Sequence, residues 1–151
     1  MVARRIALAQ AALSGCGAVV AIILASFHYS PATTAALCTA AGGCETVNTS
    51  PYSTVAGIPI ALFGFVAYLV IGVLALVSIR PGALAEYARL AVFGLSLVGV
   101  MYSAYLTYLE IFVIRAICPW CVASALIMAA IWALSLVDLA RRRRAVAEAD
   151  A

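Results

Sequence analysis

Cys118-Pro119-Trp120-Cys121 and Cys38-x5-Cys44 account for four of the five cysteines in the chain. Two nearby thiols can close to a disulfide or open to a dithiol, passing two electrons each time. Proline is favoured at the first position of a helix, so Cys118 falls at the N-cap of the helix that Pro119 begins. A sulfur there faces unpaired backbone N–H groups and the positive end of the helix dipole. That placement lowers a thiol pKa and yields a reactive thiolate. Cys121 lies on nearly the same helix face, slightly deeper. Cys38 and Cys44 sit in a polar stretch, where Gly42 and Gly43 give the backbone freedom to bring sulfurs together or apart. Two such pairs can relay electrons by exchange through a mixed disulfide.

The elements that carry these cysteines belong to a membrane. The 151 residues are 67% hydrophobic and 10% charged, with a mean hydropathy of +1.15. A soluble domain is roughly half apolar and about a quarter charged. Four apolar segments, about 6–27, 58–79, 88–112 and 119–140, are long enough to cross a hydrocarbon core as helices. No strand-like alternation of the kind a membrane barrel needs is present. The expectation is one domain over residues 1–151, an all-α four-helix membrane bundle with a long loop at about 29–57 between the first two helices. The first segment has the charge order of a secretion signal, but its length favours a retained helix.

The chain has nine arginines and no lysine. Four spanning helices gather Arg4, Arg5, Arg80, Arg89 and Arg141 to Arg144 on one side, leaving only Arg115 on the other. Positive charge marks the cytoplasmic side, so both termini are expected there and both cysteine pairs outside, in a multi-pass cell (inner) membrane protein. The outer side is also where disulfides persist. A basic cluster after an apolar helix is a topogenic stop and not a nucleic-acid patch.

Other readings of these residues stay open. Cys38 and Cys44 could simply staple the loop, and the C-x-x-C could be a structural bridge. The cysteines could bind a soft metal, although His28 is the sole histidine and has no ligand-like spacing around it; no metal site is expected. A disulfide-stapled structural subunit of a larger complex is the second alternative. Cys16, between Gly15 and Gly17 in the first segment, is read as helix packing. Tyr102, Tyr105 and Tyr108 are read as an interfacial belt, with the sharper option that one lines an acceptor pocket. Glu110 and Arg115 are expected near the outer interface, solvated and without a special role.

Cys38-x5-Cys44, Ser50, the run Gly57 to Gly64 (GIPIALFG) and ICPWC entering the last helix resemble the vitamin K epoxide reductase family, over about residues 10–140. The resemblance implies a four-helix bundle around a quinone, with a loop dithiol feeding the C-x-x-C. Bacterial members are similar in role to DsbB-type enzymes, which reoxidise a thioredoxin-fold disulfide donor and pass its electrons to a quinone. It implies that Cys118 and Cys121 are the active pair, with Cys121 nearest the quinone and Cys118 exchanging with the shuttle pair Cys38 and Cys44. Ser50 matches a serine that supports the active-site region. Some animal members carry a tyrosine four residues after the second C-x-x-C cysteine; Ala125 stands there, which favours simple quinone reduction over epoxide chemistry. Many bacterial members add a fifth helix and a fused thioredoxin-like domain; here the expected partner is a separate, DsbA-like extracytoplasmic protein. The expected function is a quinone-dependent dithiol oxidase using menaquinone or ubiquinone and supporting disulfide formation.

Overall fold

The computed structural model describes residues 1–30, 38 and 43–149. Four of its helices are long and apolar enough to cross a membrane. They are α1 (Val2–Tyr29), α3 (Ile60–Val77), α4 (Ala83–Tyr108) and α5 (Pro119–Ala149), with a short α2 (Cys44–Asn48) in the loop between α1 and α3. α1 packs on α3 and α5, and α4 packs on the same two helices. Each long helix therefore touches its neighbours in sequence, and the first touches the last, which is an up-down-up-down bundle.

Two helices run further than apolarity alone indicates. α4 begins at Ala83, just past Gly82, whose φ of 111° breaks the chain, and Glu86 in its first turn suits the positive helix end. α5 continues from 140 to Ala149. Arginine is a good helix former, and Arg142 Nε reaches Asp138 Oδ2 one turn back at 3.2 Å. α3 starts late because Ile58–Pro59 (β2) pairs antiparallel with Thr54–Val55 (β1). Ala56 and Gly57, at φ 52° and 79°, make the two-residue turn between them; two positive φ values are what the right-handed twist of a tight hairpin requires.

The core joins Ala18 and Ala21 of α1, Tyr68 and Ile71 of α3, Val92 of α4 and Ile131 of α5. In lipid, helices associate through close packing and buried hydrogen bonds rather than through expulsion of water. Gly17 supplies the close packing: a Cβ there would overlap the Tyr68 ring. Tyr68 is 1% exposed, and its hydroxyl donates to the Ser124 carbonyl at 2.8 Å, tying α3 to α5. Towards the other end, Gln10 Nε2 donates to Ser135 Oγ at 2.8 Å, tying α1 to α5. Arg89 and Arg142 each bridge Glu86 and Asp138, and Arg89 also donates to the Ser78 carbonyl. These bonds fasten the α3 terminus, the start of α4 and the end of α5.

Cys16 is exposed on the outside of the bundle, which corrects its assignment to helix packing. A residue step turns a helix by about 100°, so Gly17 faces Tyr68 while Cys16 points off that seam. Gly17→Leu should therefore cost roughly 1–3 kcal/mol by overpacking, whereas Gly15→Ala, with open space around it, should cost nothing. Thermal or denaturant unfolding of the two purified variants in detergent checks the contrast.

Candidate active site

The site begins where α4 changes pitch. After Tyr108 the helix widens into a π turn, Leu109–Ile114, whose buried residues are Leu109 and Glu110. Arg115, in the left-handed region at φ 56° and ψ 35°, ends it, and the Ala116 N–H returns to the Glu110 carbonyl at 3.0 Å. The chain then runs without helix to Cys118, and α5 starts at Pro119. Single π turns are rare and concentrate at functional sites. Here the turn carries Glu110 inward to 4% exposure. Its Oε2 accepts the Cys118 backbone N–H at 3.1 Å, and the residue lines the same cavity as Cys121. Glu110 is thus not the solvated interfacial residue that its sequence position indicates. Arg115 is exposed.

Cys118 caps α5. Its carbonyl accepts the Val122 N–H at 3.0 Å, and its Sγ accepts the Cys121 N–H at 3.4 Å. The Cys118 side chain is fully buried, at 0% exposure. Its thiol pKa is pushed down, first by the hydrogen bond from the Cys121 thiol and further by the N–H groups of Cys121 and Trp120; burial and the nearby Glu110 charge oppose this. Both Cys118 and Cys121 are free thiols.

The loop pair is a disulfide, Cys38–Cys44, with Cα atoms 6.2 Å apart. Cys44, at 1% exposure, opens α2 and shares one apolar cluster with Leu24, Phe27 and Cys118, against which Cys38, Trp120 and Cys121 also pack. Trp120, in the first turn of α5, is therefore half-buried over the cysteines. Gly43 docks the loop: its N–H donates to the Ile117 carbonyl at 3.2 Å, and a Cβ on it would overlap Ala116. Gly43 thus serves close approach, where the sequence indicates only freedom; Gly42 lies outside the described residues.

Below Cys121 lies a cavity of about 320 Å³, within the range of small-molecule sites. Cys121, Glu110, Tyr68, Ser50, Tyr102 and Ala125 are among its walls. Its other walls are largely apolar, and Phe63 and Val98, 52% and 65% exposed on the outside of the bundle, stand at its margin. A flat apolar ring reaching the cavity from lipid fits such walls, and the Tyr52 and Tyr102 hydroxyls on them are donors suited to ring oxygens. Ser50 donates its hydroxyl to the Val47 carbonyl at 2.7 Å, which fixes the turn after α2 where it meets the cavity. Of the three tyrosines on α4, Tyr102 lines the cavity, while Tyr105 and Tyr108 are exposed. Ala125 presents only a methyl group to it. His28 contacts the Asn48 carbonyl at 3.4 Å, and among the described residues no three His, Cys, Asp or Glu side chains gather as a metal set.

A model of the vitamin K epoxide reductase family matches residues 8–136. The chain belongs to that family. Vitamin K epoxide reductase relatives are quinone-linked redox enzymes of membranes, and this chain is a membrane thiol oxidoreductase of that general kind. The match reaches into all four long helices and covers all five cysteines.

The lowered Cys118 pKa has a kinetic consequence. A thiol held below the ordinary value of about 8.5 keeps its thiolate as pH falls through that value, and loses it only below its own lower pKa. After reduction of the loop, Cys118 should react with methyl methanethiosulfonate at a rate that stays high from about pH 8.5 down towards neutrality, while an ordinary thiol such as free glutathione slows about tenfold per unit. Mass spectrometry of the labelled cysteines across pH checks this. Cys118 slowing in parallel with glutathione would show that its cap does not activate it.

Proposed function

We propose that the protein reoxidises a reduced, DsbA-like thioredoxin-fold partner outside the membrane and passes its electrons to menaquinone or ubiquinone. The partner dithiol reduces the Cys38–Cys44 bridge, becoming a disulfide itself. The loop dithiol then reduces a Cys118–Cys121 bridge by the same exchange, one S–S bond forming as another breaks. Finally the Cys118/Cys121 dithiol closes as two electrons and two protons leave for the quinone. Both cysteine pairs lie on the extracytoplasmic side, opposite the eight arginines at the other end of the bundle.

The observation that carries this reading is the division of labour between two neighbouring sulfurs. Cys118 shares its apolar cluster with Cys44, while Cys121 faces the lipid-side cavity. One sulfur is thus suited to exchange with the loop and the other to meet the acceptor. The low pKa at Cys118 suits exchange, because the thiolate is the attacking species. Ser50 supports the upper wall of the acceptor cavity through its bond to Val47.

Separating the shuttle from a simple staple requires two reductants. Cys38→Ser or Cys44→Ser should abolish quinone reduction driven by a thioredoxin-fold donor. The same variants should retain reduction driven by a small membrane-permeant dithiol that reaches Cys118 and Cys121 directly. Gly43→Val, which keeps every cysteine but lifts the loop from Ala116, should show the same split. Equal loss with both reductants, in proportion to lost stability of typically about 2–4 kcal/mol for a disulfide, would mean that the loop bridge is only structural.

A further inference from the structure

Oxidation of a dithiol releases protons as well as electrons, and the cavity wall has to carry them. A charged or ionisable side chain within a membrane span is costly and is retained for a partner or a proton path. Glu110 has such a position. It is 4% exposed, lies on the π turn at the end of the third span and lines the cavity beside Cys121. Its carboxylate accepts the Cys118 N–H at 3.1 Å and shares the cavity wall with the Cys121 thiol. No ion pair involves it among the described residues, so it is not present to neutralise an arginine. The ion-paired carboxylates, Glu86 and Asp138, belong to the arginine cluster at the opposite end.

We propose that Glu110 is the general base for the Cys121 thiol and the route by which its proton reaches the quinone. The proposal rests on the function assigned above. As the Cys118/Cys121 dithiol closes, the S–H bond of Cys121 breaks, its proton moves to the Glu110 carboxylate, and an S–S bond to Cys118 forms. Two electrons pass to the quinone in the cavity, which reaches the hydroquinone oxidation level as an unprotonated dianion. Glu110 then gives its proton to one hydroquinone oxygen and returns to carboxylate. The proton of Cys118 was released to water when its thiolate formed, and a second proton from the outer aqueous side completes the hydroquinone. Two thiols thus lose two electrons and two protons, and the quinone gains the same number.

The geometry favours this role over a purely architectural one. A backbone N–H needs one acceptor, which an amide or hydroxyl could supply without the cost of burying a carboxylate. The charge of Glu110 also works against the Cys118 thiolate, so a group kept only to hold Cys118 in place would be better neutral. A carboxylate that holds the backbone of one cysteine and lines the same cavity wall as the thiol of the other is placed to take a proton at the moment that thiol must lose it.

Glu110→Gln keeps an oxygen to accept the Cys118 N–H but cannot take a proton. In anaerobic single-turnover mixing of pre-reduced protein with a water-soluble short-chain quinone, Glu110→Gln should slow quinone reduction by about 100-fold or more. Glu110→Asp should recover at least about a tenth of the wild-type rate. Exchange of Cys118 with a small disulfide, followed without quinone, should be no slower in Glu110→Gln than in wild type, because only a negative charge beside its thiolate has been removed. Quinone reduction within about threefold of wild type in Glu110→Gln overturns the proposal. So does a parallel slowing of both steps, which would mark a structural role, or an Asp variant as slow as Gln. Wild-type protein that reduces no quinone refutes the proposed function itself, and this proposal with it.

Discussion

The bond from the Cys118 backbone N–H to Glu110 Oε2, eight positions earlier, closes the turn between the last two long helices. Much of the site depends on that turn. Cys118 has to stand outside α5, with Pro119 inside it, for its sulfur to meet the free N–H groups of the first turn. The π turn brings the carboxylate inward and Arg115 reverses the chain, so the reversal takes place against a buried acceptor rather than in open water. The same short stretch offers Ile117 its carbonyl contact with Gly43. One local arrangement therefore fixes the helix tip, the thiol that caps it and the landing place of the loop.

From that arrangement the two environments of the C-x-x-C follow. One turn of helix separates an enclosed apolar cluster, shared by Cys44 and Cys118, from a cavity lined by Cys121 and open towards lipid-facing residues. A bilayer makes the separation useful. Thiol exchange needs close sulfur contact at the aqueous face, whereas a quinone dissolves in hydrocarbon. Gly17 and Tyr68 hold α1 and α3 together below the loop, and Tyr68 in turn reaches Ser124 on α5, one turn beyond Cys121. The packing core and the cavity thus share a side chain, so a change in bundle geometry is felt at the redox pair.

What was legible in the sequence was what local chemistry or bulk hydropathy controls. Four spans follow from apolar length, and the cap at Cys118 follows from Pro119. The arginine-rich end of α5 lay beyond reach of hydropathy because a helix does not stop where the membrane does; it continues while side chains such as Arg142 and Asp138 can pair. Glu110 was misjudged because counting along the helix measures depth and not direction, and a π turn alters which way a residue faces. The signal was nevertheless there: a single carboxylate inside the apolar run LTYLEIFVI, of the kind that marks function in membranes. Gly43 was legible as a glycine but not as a contact, since close approach depends on Ala116, a residue far along the chain. Cys16 was misplaced because two flanking glycines do not tell which of three adjacent residues faces the neighbouring helix.

In the proposed relay, Cys118 and Cys121 are the pair that meets the acceptor, with the loop one exchange further out. The most direct measurement begins with the fully reduced protein in detergent, mixed anaerobically with one equivalent of quinone, quenched with acid at successive times and mapped for disulfides by mass spectrometry. The account predicts hydroquinone appearing in step with a Cys118–Cys121 bridge, and a Cys38–Cys44 bridge only afterwards, as the first bridge passes outward by exchange. A Cys38–Cys44 bridge that forms first, or hydroquinone that appears while Cys118 and Cys121 remain thiols throughout, would contradict it.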